Sequence, residues 1–169
     1  FELILAFFTL ALIVCVKDVD GAYLDNFQVS NVQTYLFEQN NVDVLLIKFV
    51  AINQNTVSKD VSYQLINSGN TYENNSSDVR DYGLGDRSCM DDYDLPNYAP
   101  GISKNVSVCF VLPKNALSNP TLRITRGYYE DEPIKDVSLP TPIKKNYSEY
   151  VKQNFVIDLA KSIQLDLLK

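Results

Sequence analysis

The sequence predicts a mainly β protein, an antiparallel β-sandwich that follows one hydrophobic helix at the N-terminus. Residues 1–16 are almost wholly apolar. Beyond them lie short segments in which apolar and polar residues alternate, the period of a half-buried strand. Turn-forming Asn, Gly and Pro separate these segments at short intervals, and helix signals are few. These observations divide the chain into a hydrophobic helix (1–16), a polar linker (17–26) and a sandwich domain (27–169).

The N-terminal run favours a helix because Leu, Ala and Phe dominate residues 1–12. Its length falls between the core of a signal peptide, ~7–15 residues, and a full membrane span of ~20. Lys17 is costly in lipid, so we expect the helix to leave a membrane there and to end by Gly21. Four interpretations fit such a run: a signal-peptide core, a membrane anchor, an assembly helix, or a buried element of a soluble domain.

Phe1 and Glu2 begin this run, and because the sequence does not start with Met, we expect that a segment upstream of Phe1 was either removed or is not included in the sequence. In this the segment resembles type IV pilin-like proteins, including archaeal pilins, in which a leader is cut away just before an apolar helix. Many bacterial pilins carry an acidic residue close to that terminus. The resemblance implies that residues around Phe7, Leu10 and Val14 contact copies of the same chain in a filament, after lipid has held them. A single anchor helix, touching membrane helices of other subunits or lipid alone, remains the open alternative.

The first two strands are expected at residues 27–37 and 42–52. The first carries apolar side chains in one phase: Phe27, Val29, Tyr35 and Phe37. The second is β-branched and apolar on both faces at its middle, which is typical of a central strand covered on both sides. A turn signal at 39–41 lies between them, so the two strands are predicted to pair as a hairpin.

Later strands and turns follow from the same two signals. In the strand at 102–112, Val106, Val108 and Phe110 share one side. We expect the other side, with Asn105, Ser107 and Cys109, to face solvent. The remaining predicted elements are strands at 61–66, 121–126 and 134–139, turns at 67–70 and 99–101, and a return strand starting at 71.

Two segments have weaker patterns. Residues 73–98 have little apolar periodicity and are interpreted as a long surface loop, which needs a tether in a compact domain. The tail from residue 143 fits an amphipathic helix and strands equally well. Of the two, strands at 154–159 and 162–168 are favoured.

Two of the three cysteines are candidates for a disulfide. Cys15 lies in the apolar run, where a buried thiol is expected. Cys89 and Cys109 lie in the part expected outside the cell, where they can pair. The pair would tether the long loop to a strand; two unpaired thiols are the alternative.

Asn-x-Ser/Thr sequons fit the same location. They occur at Asn74, Asn75, Asn105 and Asn146, and each is a candidate for glycosylation if its backbone faces solvent. An Asn- and Ser-rich chain also produces such triplets by chance.

No credible catalytic set is present, and we expect no enzymatic activity. His is absent, which removes the commonest general base and transition-metal ligand. A net charge of -6, with no Lys/Arg patch, argues against nucleic acid as a partner. One acidic loop is a weak Ca²⁺ candidate, though a solvated loop is the preferred interpretation, and no cofactor is expected. Its carboxylates are Asp86, Asp91, Asp92 and Asp94.

The middle of the chain carries a second resemblance. It rests on the long apolar strand at 42–53, the Tyr63-to-Tyr72 block and the Pro100-Gly101 turn that leads into Val106-to-Pro113. Together these resemble small immunoglobulin-like domains of unknown function in exported bacterial and archaeal proteins. The resemblance implies an immunoglobulin-like antiparallel β-sandwich and carries no activity, because function resides in sites rather than folds.

These observations predict a structural surface protein. The first hypothesis is a pilin-like subunit of an extracellular filament, membrane-anchored at least transiently, whose sandwich faces solvent. The second is an accessory subunit with one anchor helix in a larger membrane complex. The third is a membrane-anchored extracytoplasmic binding domain.

Overall fold

The structure is a computed structural model that describes residues 26–55, 59–74, 89, 97–126 and 133–153. These residues contain nine strands and one short helix. The helix, α1, covers 147–153. The strands are β1 (Phe27–Glu38), β2 (Val42–Asn53), β3 (Lys59–Asn67), β4 (Asn70–Glu73), β5 (Asn97–Tyr98), β6 (Ser103–Pro113), β7 (Thr121–Arg126), β8 (Pro133–Ser138) and β9 (Ile143–Lys144).

The strands form two sheets, and the mainly β prediction is confirmed. The first sheet has the order β6-β2-β1-β9, and the second has the order β4-β3-β7-β8 with β5 paired to β3. All described pairs are antiparallel except β1 with β9. The predicted hairpin of β1 and β2 forms, with Phe37 opposite Val44.

One apolar core lies between the two sheets. Alternate residues of β2 enter it, from Leu45 to Ala51, because successive side chains of a strand point to opposite faces. Both sheets contribute fully buried side chains, including Phe110 from β6 and Leu65 and Leu122 from β3 and β7. On the opposite face of β2, Val44 and Leu46 are fully buried as well. The predicted cover on both faces of β2 is therefore present at Val44 and Leu46, whereas Val50 and Ile52, further along the same outer face, are only half-buried.

A bulge in β1 changes the face on which its apolar residues lie. The register with β2 shifts between Ser30 and Gln33, where Asn31 has a φ of 54°. Phe27 therefore points into the core, whereas Phe37 points to the outside of the first sheet. The extra residue at a bulge offsets the two-residue period. The sequence places both residues in one phase, and the bulge separates them.

The turn between β3 and β4 confirms the turn signal at 67–70. Ser68 and Gly69 both have positive φ, 49° and 81°, which is the backbone of a tight type I′ hairpin. Glycine adopts this conformation without strain, and a side chain at 69 would be strained even though the space around it is open.

Buried polar side chains close both ends of β2. At one end Asp43 accepts hydrogen bonds from Lys114 Nζ (2.9 Å) and the Asn115 amide (2.7 Å). At the other end the side-chain nitrogen of Asn53, Nδ2, donates a hydrogen bond to the Tyr98 backbone carbonyl at 2.7 Å. Each polar group is satisfied where it is buried, so these side chains fix the neighbouring turns to the core.

The interpretation of 73–98 as a surface loop is wrong at both of its ends. Glu73 belongs to β4, and Tyr98 belongs to β5 with none of its surface exposed. The Tyr98 ring stands edge-on to Phe27, and its hydroxyl lies 2.6 Å from that of Tyr63. Burial raises the pKa of Tyr98 to about 12 and raises that of Tyr63 well above its usual value. A two-residue strand has too little periodicity for sequence analysis to detect.

Several predicted elements lie outside the described residues. They are the helix at 1–16, all but the last residue of the linker at 17–26, and the strands at 154–159 and 162–168. Among the residues that are described, no helix is both long and apolar enough to cross a bilayer.

Candidate interaction surface

The outer face of the first sheet consists of the side chains that point away from the core. Strand register sets them in rows across β1, β2 and β6. None of them is acidic, in a chain whose net charge is -6. In order along β2, the rows are Gln28, Ile52 and Ser103; Ser30, Val50 and Asn105; Gln33, Lys48 and Ser107; Tyr35, Leu46 and Cys109; and Phe37, Val44 and Val111.

Helix α1 covers the last two of these rows with Tyr147 and Tyr150, the aromatic cover. The Tyr150 ring centroid lies 5.1 Å from that of Tyr35 and 5.3 Å from that of Phe37, and Tyr147 stands edge-on to Phe37 at 5.3 Å. Tyr150 is only 5% exposed. Together with Val44, Leu46 and Cys109, these rings form a second apolar cluster outside the main core.

Two lysines support the aromatic cover. Lys48 donates a hydrogen bond to the Tyr150 hydroxyl at 3.0 Å. The ammonium of Lys145 lies 5.5 Å from the Tyr35 ring centroid and 6.0 Å from that of Tyr150, the geometry of a cation–π contact. The hydroxyl of Tyr150 is therefore bonded while its apolar ring is buried.

Asn146 begins α1 as its N-cap. Its Oδ1 accepts hydrogen bonds from the Ser148 amide at 3.0 Å and the Ser148 hydroxyl at 2.7 Å. Asn is among the best N-cap residues because its side chain satisfies an amide that the helix leaves free. From the sequence alone, Asn146 is predicted only as a sequon. The i, i+3 spacing of Tyr147 and Tyr150 after this cap is the sequence signal from which the aromatic cover could have been predicted.

The structure brings Cys89 and Cys109 together, with their Sγ atoms 1.99 Å apart and their Cα atoms 5.5 Å apart. Cys109 is only 2% exposed. The expectation that its side of β6 faces solvent is therefore wrong at this position, because α1 and Cys89 cover it. Beside the disulfide, Asn74 Oδ1 accepts a 3.0 Å hydrogen bond from the Cys109 amide.

The four sequons differ in their surroundings. Asn74 is half-buried and bonded to β6, and Asn146 is exposed but serves as the cap of α1. Asn105 is exposed on the outer face of the first sheet. Asn75 lies outside the described residues.

The other predicted sites are not placed. The described residues contain no group of His, Cys, Asp or Glu that could hold a metal ion. The Ca²⁺ candidates lie outside them, as do the assembly residues: Asp86, Asp91, Asp92, Asp94, Phe1, Glu2, Phe7, Leu10 and Val14.

The outer face of the second sheet has a different construction. One row crosses β4, β3, β7 and β8 as Glu73, Gln64, Arg123 and Asp136. Gln64 donates to Glu73 at 2.9 Å, and Arg123 makes two 2.8 Å bonds to Asp136. The guanidinium lowers the pKa of Asp136, and the carboxylate raises that of Arg123. These side chains satisfy one another at the surface.

Comparison with protein-family models, with curated proteins and with solved structures found no match for this chain.

Proposed function

We propose that this chain is an exported structural protein, a pilin-like subunit of a surface filament that presents an immunoglobulin-like β-sandwich to solvent. Its apolar residues 1–16 pack against copies of the same chain in the filament core and are held by lipid before assembly. The disulfide of Cys89 and Cys109 is the observation that carries export, because such bonds persist in oxidising compartments outside the cytosol.

Strand order supports the immunoglobulin-like part of the proposal. In that fold one sheet contains strands A, B and E, and the other contains C, F and G, with C′ added beside C in some members. Here β1, β2 and β6 take the places of A, B and E, and β4-β3-β7-β8 takes the order C′-C-F-G. Three features of the described residues lie outside that pattern: β9 beside β1, β5 beside β3, and a disulfide on β6 rather than between the sheets.

The edges of the first sheet support assembly through the N-terminal run rather than through strand addition. The bulge at Asn31 distorts the edge of β1, and Thr34 bonds the Pro140 carbonyl beside it at 2.9 Å. On β6 the edge amide of Cys109 is bonded to Asn74. Bulged and occupied edges pair poorly with another chain.

Site-specific photo-crosslinking tests the filament. A photoreactive phenylalanine analogue replaces Phe7, Leu10 or Val14 in turn in full-length protein in its own cells. We expect irradiation to give a ladder of multiples of this chain. The matched control places the same analogue at Ser138, which is exposed on the second sheet and should give little crosslinking.

The other outcomes separate the alternatives. Products that contain one different protein identify an accessory subunit, and products that contain only lipid identify a lone anchored domain. Either result rejects the filament and leaves export to be judged separately, by whether protease added to intact cells cleaves the domain.

A further inference from the structure

Part of the outer face of the first sheet is left without a cover by α1. This uncharged patch contains two half-buried aliphatic side chains of β2, Val50 and Ile52, surrounded by exposed amide and hydroxyl groups. Its members are Gln28, Ser30, Val50, Ile52, Ser103 and Asn105. Uncharged side chains around aliphatic ones present C–H surface and hydrogen-bonding groups together, which is the chemistry that a saccharide matches.

Asn105 lies at the edge of this patch and is directly opposite Val50. Ser107, the hydroxyl residue of its sequon, projects to the same face because side chains alternate along β6. In the described part of the chain the Asn105 side chain takes no part in a hydrogen bond. By contrast, Asn74 is bonded to the Cys109 amide and Asn146 is bonded to its own sequon serine.

We propose that Asn105 is an N-glycosylation site and that its first sugars cover Val50 and Ile52. The proposal rests on export, as part of the proposed function. A bond forms between Asn105 Nδ2 and the anomeric carbon of a saccharide carried on a lipid pyrophosphate. The bond from that carbon to the pyrophosphate oxygen breaks, the pyrophosphate leaves with the electron pair, and Nδ2 loses one proton to a base of the transferase. No oxidant or reductant is needed.

The size of the patch favours a glycan over a second protein. Three strands about 4.8 Å apart and two rows about 7 Å apart give about 200 Å². A stable protein interface needs about 800 Å² on each partner, whereas one or two sugar rings cover an area of this size. The carbohydrate would continue the cover that Tyr147 and Tyr150 begin at the other end of the same face.

Glycopeptide mass spectrometry of the full chain from its own cells tests the site. We expect a saccharide mass on the peptide that contains Asn105, lost in both Asn105→Gln and Ser107→Ala and retained in Asn146→Gln. An unmodified Asn105 peptide from protein that external protease reaches on intact cells overturns the site while leaving export in place. An unmodified peptide from protein that stays inside the cell overturns both.

Hydroxyl-radical footprinting tests the cover. We expect labelling of Val50 and Ile52 to rise several-fold in Ser107→Ala, which keeps Asn105 but loses the glycan, while labelling of Val44 beneath the aromatic cover is unchanged. Equal labelling of Val50 and Ile52 with and without the glycan overturns the cover, whichever sequon is occupied.

Discussion

The outer faces of the two sheets lie on opposite sides of one core and are built in different ways. The second sheet presents a solvent face on which charged and polar side chains bond one another across strands, as between Arg123 and Asp136. The first sheet has no acidic side chain among its outer rows. Part of it lies beneath Tyr147 and Tyr150, which make it a second interior.

The difference shows that the first sheet is the middle layer of a three-layer arrangement over part of its area. Its outer contacts are apolar and sequestered, so they contribute to folding as core contacts do. The pairs on the second sheet are exposed, and exposed pairs contribute little. Substitutions on the two faces should therefore differ in their effects on the free energy of unfolding.

Tyr150→Ala should have the largest effect, a loss of about 4 kcal/mol, because it removes a buried aromatic ring and leaves a cavity above Tyr35 and Phe37. Tyr150→Phe keeps the ring and loses the bond from Lys48, so it should cost about 1 kcal/mol. Denaturant unfolding of the two variants beside the parent measures both.

Gln64→Ala on the second sheet is the matched control, with an expected change within about 0.5 kcal/mol. If Tyr150→Ala changed stability no more than this control, α1 would be only loosely attached and the second interior would not exist.

Removing the disulfide should cost about 3 kcal/mol, because cross-linking cysteines 20 residues apart restricts the unfolded chain. Cys89→Ser with Cys109→Ala is the suitable variant, since Cys109 is buried and a hydroxyl there would add a desolvation penalty. Thermal unfolding with and without reductant measures the loss. The parent should respond to reductant and the variant should not. If the thermal stability of the parent did not change after complete reduction, the disulfide would not restrict the unfolded chain as expected.

Strands with regular patterns could be predicted from the sequence. The apolar character of β2 on both faces predicted two covers, and Val44 and Leu46 are indeed buried on the outer side. The β1–β2 hairpin and the turn at Ser68 and Gly69 followed from local signals, since a turn needs only its own residues.

The features that could not be predicted depend on contacts or positions that the local sequence pattern does not reveal. Nothing near Cys109 indicates that Tyr150, far along the chain, lies against its face of β6. The bulge at Asn31 moves Tyr35 and Phe37 out of the phase of Phe27, and alternation alone does not reveal an inserted residue. Asn146 fits both a sequon and a helix cap, and only the position of Ser148 distinguishes the two roles.

Double-mutant cycles should sharpen the contrast between the faces. For Arg123 and Asp136, exposed on the second sheet, we expect a coupling energy of about 0.5 kcal/mol, which falls as salt is added. For Tyr35 and Tyr150 on the first sheet we expect about 1 kcal/mol that salt leaves unchanged, because aromatic contacts carry no net charge. Alanine variants and denaturant unfolding at low and high salt measure both. Equal salt dependence of the two couplings would contradict the assignment of one face to solvent and the other to an interior.

The smallest expected effect is a difference in acid response. The pKa of Asp136 is lowered, first by its hydrogen bond to Arg123 and then by the positive charge. A lowered folded-state pKa gives a contribution to stability that is complete above the unfolded value near 3.8 and is lost as the pH falls through the folded value. The outer rows of β1, β2 and β6 contain no carboxylate to protonate, so the strand side chains beneath Tyr150 should not respond in this range. Carbon-detected NMR titration should show the Asp136 midpoint rising in Arg123→Gln while the Tyr150 ring signals stay unchanged. A Tyr150 signal that moved with the Asp136 midpoint would mean that the two faces are coupled through the core.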